Sequence, residues 1–216
     1  MIRYLLAAFP LLILPLSVAK ADLIVTFGSS SLSPGGLSTI DVYLSGNGTD
    51  QLGRFSAQFE IERISGTGAL EFQASQSASE RTATNPDYVF LNKLDTGFVA
   101  FRDPINRSRL TQGDRATENV VVGNEPRLLA RLELQHIVPL EVNEDAEYRI
   151  RLIENPAFTY FRLQDNLSSA AFNNQSYTNF GTISVVAVPE PGTMALGMLV
   201  LGCLTRLRNR RRVRGM

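Results

Sequence analysis

A single histidine, His136, stands in the 216-residue chain, so a two-histidine metal site is ruled out. A Ser-His-Asp relay would have to be built around that one imidazole, and its setting argues against this. His136 follows Leu132 and Leu134 at a spacing of two, which puts it on the apolar face of a strand and predicts a histidine at the edge of the core. The only cysteine, Cys203, lies in an apolar run near the C-terminus. It leaves no intramolecular disulfide and reads as an inert thiol. Paired carboxylates could hydrolyse a glycosidic bond. Here Glu60 and Glu62, the Glu144, Asp145 and Glu147 group, and Asp103 all sit among other charges, the pattern of a solvated face. No catalytic residue is assigned.

Oxygen ligands for a hard cation come closest to a metal site. The calcium candidates are Asn47 and Asp50, which share a loop with Thr49, and Asp165, next to Asn166. No 12-residue calcium loop surrounds them, so no metal and no cofactor is expected. A sugar-stacking platform would need aromatic faces with polar tips. There is no tryptophan, and Tyr43, Tyr88 and Tyr177 are expected to be ordinary surface tyrosines.

The elements that must position these groups are strands. Phe55, Ala57, Phe59 and Ile61 alternate with Arg54, Ser56, Gln58 and Glu60, the clearest half-buried strand in the chain. Leu128, Ala130, Leu132 and Leu134 form a second such set, and Tyr148, Ile150 and Leu152 a third. Shorter alternations fall at 23–27, 40–44, 70–74 and 182–188, with a strand pair expected at 88–91 and 97–101. Ser33-Pro34-Gly35-Gly36 and the 45–50 segment are turns. The polar stretches 75–87, 102–118 and 165–174 read as loops, the second with room for a helical turn. About nine strands without a helical period predict an all-β fold, an antiparallel β-sandwich of jelly-roll type, in one domain over 22–187.

The two ends differ from the middle. Residues 1–21 carry Arg3, an apolar run from Tyr4 to Val18, and Ala19-Lys20-Ala21 ahead of Asp22, the pattern of a cleaved secretory signal peptide. At the other end, Val188-Pro189-Glu190-Pro191-Gly192-Thr193 makes a stiff break that no helix can cross. An apolar helix is expected over 193–207. It would reach roughly 22 Å, short of about 30 Å of hydrocarbon, which suits a temporary anchor. A basic tail over 206–214 then carries Arg206, Arg208, Arg210, Arg211, Arg212 and Arg214, a membrane stop with its charge on the cytoplasmic side. The chain has 21 basic and 21 acidic residues, yet setting the ends aside leaves 13 basic against 20 acidic ones in the middle. A net-acidic domain of that kind is soluble and repels nucleic acid.

The order Pro-Glu-Pro, short apolar run and arginine tail resembles the PEP-CTERM sorting signal of Gram-negative bacteria. The arginine tail here is somewhat longer than is usual in that family. The resemblance implies recognition by an exosortase-type membrane transpeptidase, with cutting near Pro189-Glu190-Pro191 after export through the Sec translocon. It implies an inner-membrane protein facing the periplasm that later reaches the cell surface or the extracellular matrix. The strand and turn pattern of the domain (a Pro-Gly-Gly turn before Asp41-Val42-Tyr43-Leu44, and later Leu128 to Leu134) resembles cohesin-like and carbohydrate-binding-module-like sandwiches, which implies fold only. A non-enzymatic structural or binding role, with extracellular polysaccharide as a partner, is the expectation. The alternative is a secreted module that binds or hydrolyses exopolysaccharide.

Overall fold

The computed structural model describes residues 22–188, apart from 79, 80, 82–84, 139–142, 166 and 171. The signal sequence and residues 189–216 therefore lie outside the described residues, as do Pro189 to Thr193, the expected membrane helix and the basic tail. Among the described residues no helix is long and apolar enough to cross a membrane.

The strands are β1 (Ile24–Phe27), β2 (Ser29–Leu32), β3 (Leu37–Ser45), β4 (Asp50–Ser65), β5 (Ala69–Phe72), β6 (Val99–Arg102), β7 (Arg109–Val122), β8 (Arg127–Ile137), β9 (Ala146–Leu152), β10 (Tyr160–Arg162) and β11 (Phe180–Val185). They form a four-stranded sheet in the order β1-β3-β8-β5 and a seven-stranded sheet in the order β2-β11-β9-β4-β7-β6, with β10 added to β4. Period-two burial explains the packing of the two sheets on each other. Phe55, Ala57, Phe59 and Ile61 of β4 are buried with Ile40, Val42 and Leu44 of β3, and all belong to one apolar cluster. Leu128 to Leu134 and Tyr148 to Leu152 also bury the alternate residues expected from the sequence.

The first strand is split between the sheets at Gly28. Its first half, β1, pairs antiparallel with β3, and its second half, β2, pairs parallel with β11. The two sheets come so close there that a Cβ on Gly181 would stand 2.4 Å from Ile40 Cδ1 and 2.8 Å from the Gly28 carbonyl oxygen. Only glycine fits that crossing.

Two expectations are corrected. Residues 102–118 are not a loop: β6 ends at Arg102, and β7 runs from Arg109 as a main partner of β4. The alternation is present, but its inward positions are Leu110, Gln112, Asp114 and Ala116, so polarity hides the strand. Nor is 88–91 a strand: Tyr88 makes a single bridge to Leu128, and the segment otherwise turns. Tyr88, Val89 and Phe90 are nevertheless fully buried. An aromatic string carries that burial: Tyr88 meets Phe90 edge-on, Phe90 meets Phe55, Phe55 meets Phe161, and Phe161 stacks on Phe172 at 4.5 Å. Ring contacts thus pin irregular segments that lack ladder hydrogen bonds.

Candidate functional site

The outer face of the seven-stranded sheet is organised in cross-strand rows. Arg54, Ser56, Gln58 and Glu60 point outward from β4, and Arg109, Thr111, Gly113 and Arg115 from β7. Register aligns Phe101, Thr111 and Gln58 in one row, and Val99, Gly113, Ser56 and Tyr160 in the next. Below them lies Arg109–Glu60–Arg151, and above them Arg115–Arg54–Arg162. A β-bulge between Leu52 and Arg54 ends the regular register just beyond the upper row.

The two middle rows form a groove. One cleft of about 190 Å³ is lined by Ser56, Val99, Gly113 and Tyr160, and a second of about 210 Å³ by Gln58, Phe101, Arg109 and Phe158, with Thr111 common to both. Gly113 offers no side chain, so the floor stays open there. The walls are apolar and unusually open: Phe101 is 60% exposed, Val99 58% and Phe158 48%. Hydrogen bonds fix the polar floor. Ser56 Oγ donates to the Phe158 carbonyl at 2.6 Å, Gln58 Nε2 to Thr111 Oγ1 at 3.3 Å, and Asn155 Nδ2 to Gln58 Oε1 at 3.4 Å.

Two carboxylates adjoin the groove in contrasting states. Glu60 accepts from Arg109 Nη2 at 2.7 Å and from Arg151 Nη2 at 3.0 Å. Burial pushes its pKa up, but the hydrogen bonds and charges of the two arginines prevail and hold it below the usual range. Asp114 faces inward beneath the floor, where burial pushes its carboxyl above the usual range against the pull of its partners. Tyr88 Oη donates to Asp114 Oδ2 at 2.5 Å, and the Arg115 amide donates to Oδ1 at 2.8 Å. Arg81 Nε lies 2.7 Å from Oδ2 as an ion pair, without the alignment of a hydrogen bond. Because Asp114 and Glu60 face opposite sides of the sheet, they do not flank one bond as a hydrolytic pair must.

The residues singled out from sequence are spread elsewhere. His136 is 1% exposed and lies inside the sandwich. Its Nδ1 accepts from the Gly35 amide at 3.4 Å, so the ring proton sits on Nε2, 3.0 Å from Tyr148 Oη. Tyr148 Oη in turn donates to the Thr67 carbonyl at 3.2 Å. Burial pushes the His136 pKa down, with the Thr67 carbonyl pulling weakly the other way. Gly68 (φ +85) closes this corner, where a Cβ would lie 2.7 Å from Nε2.

The calcium candidates are occupied as turn acceptors. Asn47 Oδ1 accepts from the Thr49 amide and hydroxyl, and Asp165 from the Leu167 and Ser168 amides. Asp50 Oδ2 accepts from the Asn47 amide, while Oδ1 is buried without a partner. Among the described residues no three His, Cys, Asp or Glu side chains converge as a metal site. Asn166 lies outside the described residues. Of the tyrosines, Tyr43 faces outward from the smaller sheet as expected. Tyr88 is a correction: it is buried on Asp114 and is no surface residue. Tyr177 is half-buried against Phe172.

Two stacked sheets, with β2 and β11 paired in parallel and a groove across the larger sheet, make an all-β sandwich. No family profile matches the chain, and no curated protein matches it. Among solved structures it is similar to the third cohesin of ScaC from Acetivibrio cellulolyticus, determined with the ScaB dockerin, at 15% identity and a TM-score of 0.44, covering 76% of this chain and 99% of that one. It is also similar to a non-cellulosomal cohesin from the archaeon Archaeoglobus fulgidus, at 12% identity and a TM-score of 0.44, covering 80% and 97%. A third is the seventh ScaB type I cohesin of Pseudobacteroides cellulosolvens, at 10% identity and a TM-score of 0.45, covering 79% and 96%.

Proposed function

We propose that this is an exported cell-envelope protein, sorted by its C-terminal segment and acting by binding rather than by catalysis. The observation that carries the sorting reading is the order of residues 188–214: Pro189-Glu190-Pro191, the apolar run Met194 to Leu204, then six arginines without an acid. In this reading the Sec translocon exports the chain and the apolar segment holds it in the inner membrane. An exosortase-type transpeptidase then processes it near Pro189-Glu190-Pro191 for display at the surface. The position of the domain supports it. Val186 donates to the Leu32 carbonyl, and Val188 donates to Asn143 Oδ1 at 3.0 Å, so the described fold reaches the residue before Pro189. Replacing Pro189, Glu190 and Pro191 with alanine tests it by intact-mass measurement of the protein recovered from its envelope. The variant should keep its C-terminal segment while the wild type loses it; equal masses would refute the sorting reading.

A second reading, that the sandwich binds extracellular polysaccharide, is favoured by the groove. Its fixed floor of hydroxyl and amide groups between exposed aromatic walls suits a polyhydroxylated chain. Truncating Phe101 to alanine should weaken that binding without unfolding the domain, because the ring is mostly in water already.

A further inference from the structure

The two charged rows beside the groove have the same geometry and opposite centres. In the lower row the middle residue is Glu60, and it bridges Arg109 and Arg151 at 2.7 and 3.0 Å. In the upper row the middle residue is Arg54, aligned directly with Arg115 on one side and Arg162 on the other. Like charges opposite one another across strands destabilise a sheet. Asp95 Oδ2 lies 2.7 Å from Arg115 Nε at one end of the row. Arg162 is laid over the Tyr160 ring at 4.6 Å. Among the described residues no carboxylate pairs with Arg54. A hollow of about 50 Å³ opens between Arg54 and Arg115, beside the 190 Å³ cleft that both also line. Where the lower row centres on a carboxylate, the upper row centres on Arg54, which opens onto a recess.

We propose that Arg54, with Arg115 beside it across the recess, takes a carboxylate from a sugar acid, so that the groove binds a uronate-bearing polysaccharide. This rests on the reading of the groove as a glycan surface and adds the chemical class. Guanidinium groups pair with carboxylates through parallel N–H bonds. The neighbouring rows supply hydroxyl and amide partners (Ser56, Gln58, Thr111) and apolar faces (Phe101, Phe158) for the sugar rings. An acidic peptide fits less well. At the arginine row β4 is flanked by β7 and β10, whose ladders use its main-chain groups, so a peptide lying there finds none of the backbone pairing that an edge would give it. The rest of the domain is net acidic, but screening over about 8 Å at physiological salt leaves the row to dominate contacts made within the groove.

The test is titration of the full-length protein in detergent micelles with a short oligogalacturonate, the same oligomer methyl-esterified, and a polyglutamate of equal charge. The free acid should bind, and esterification should weaken it by about tenfold or more, the loss of one charge-assisted pairing. Arg54→Gln should do the same. Arg54→Glu should abolish binding while leaving the thermal midpoint equal or higher, because it recreates the bridge made by Glu60. Arg63→Gln, nine residues along β4 and roughly 30 Å away, should change nothing. Equal binding of acid and ester, or an unaffected Arg54→Glu, overturns the charge assignment; if Phe101→Ala still weakens binding, the glycan reading itself survives. Polyglutamate binding as tightly as the sugar acid overturns the glycan class in favour of an acidic protein. No binding of any oligomer by a folded protein overturns both.

Discussion

Replacing His136 with alanine is the sharpest perturbation of the fold. The imidazole joins two turns and a strand: it accepts from Gly35 after β2, contacts Tyr148 on β9, and stands over Gly68 in the β4–β5 turn. Two hydrogen bonds at about 1 kcal/mol each, plus about 1–2 kcal/mol for the lost burial and partial cavity, give about 3 kcal/mol. For a domain of this size that is a drop of about 6–12 °C in midpoint. The pH dependence makes the test specific. Burial depresses the folded-state pKa of His136, so below about 6.5 the unfolded chain takes up a proton that the native one refuses. Stability of the wild type should therefore fall as pH drops from 7.5 towards 5.5, by at most about 1.4 kcal/mol per unit. The variant has no such group, and its deficit should shrink over the same range. Urea denaturation at several pH values reads both. A cost below 1 kcal/mol, or an acid slope unchanged in the variant, would refute the assignment of a buried neutral imidazole.

Tyr88→Phe removes the donor to Asp114 and should cost about 1.5–3 kcal/mol, the range for a hydrogen bond to a charged group. Because that bond favours the ionised carboxylate, its loss lets the Asp114 pKa rise further, so the deficit measured by denaturation should be larger at pH 7 than at pH 5. In millimolar calcium the thermal midpoint should rise by less than about 2 °C, since Asn47 and Asp165 already spend their oxygens on turn amides. A larger rise in a calcium titration would reopen the site at Asp50, whose Oδ1 lacks a partner.

Strands with apolar inward sets were legible because burial and alternation agree: β3, β4, β8 and β9 each expose one polar face and bury one apolar face. β7 was not, because Gln112 and Asp114 occupy positions where the pattern expects hydrocarbon. Burial of Asp114 is tolerable only through partners from distant segments, Tyr88 and Arg81, which no local window contains. Losing β7 also hid the groove, since both of its rows are anchored on β7, at Thr111 and Gly113. The arginine row was hidden for a related reason. Arg54, Arg115 and Arg162 are far apart in sequence, and only the register of β4 against β7 and β10 makes them neighbours. A signal was available in part: Leu110 and Ala116 are apolar at an even spacing, and reading Gln112 and Asp114 as inward residues between them would have recovered the strand.

The end of the domain bears on how sorting and folding fit together. Beyond β11, Val186 pairs with Leu32, Ala187 donates to Asp145 Oδ1 at 2.7 Å, and Val188 exchanges two hydrogen bonds with the Asn143 side chain. All of these partners lie within the sandwich, upstream of Pro189. Under the sorting proposal, cutting within Pro189-Glu190-Pro191 therefore removes none of the contacts described here, and the released domain should melt at the same temperature as the uncut one. A cut upstream of Val185 would instead break the β11 ladder that joins β2 to β9. Processing at the proline-flanked glutamate would thus leave in place the contacts that Asn143 and Asp145 make with Val188 and Ala187.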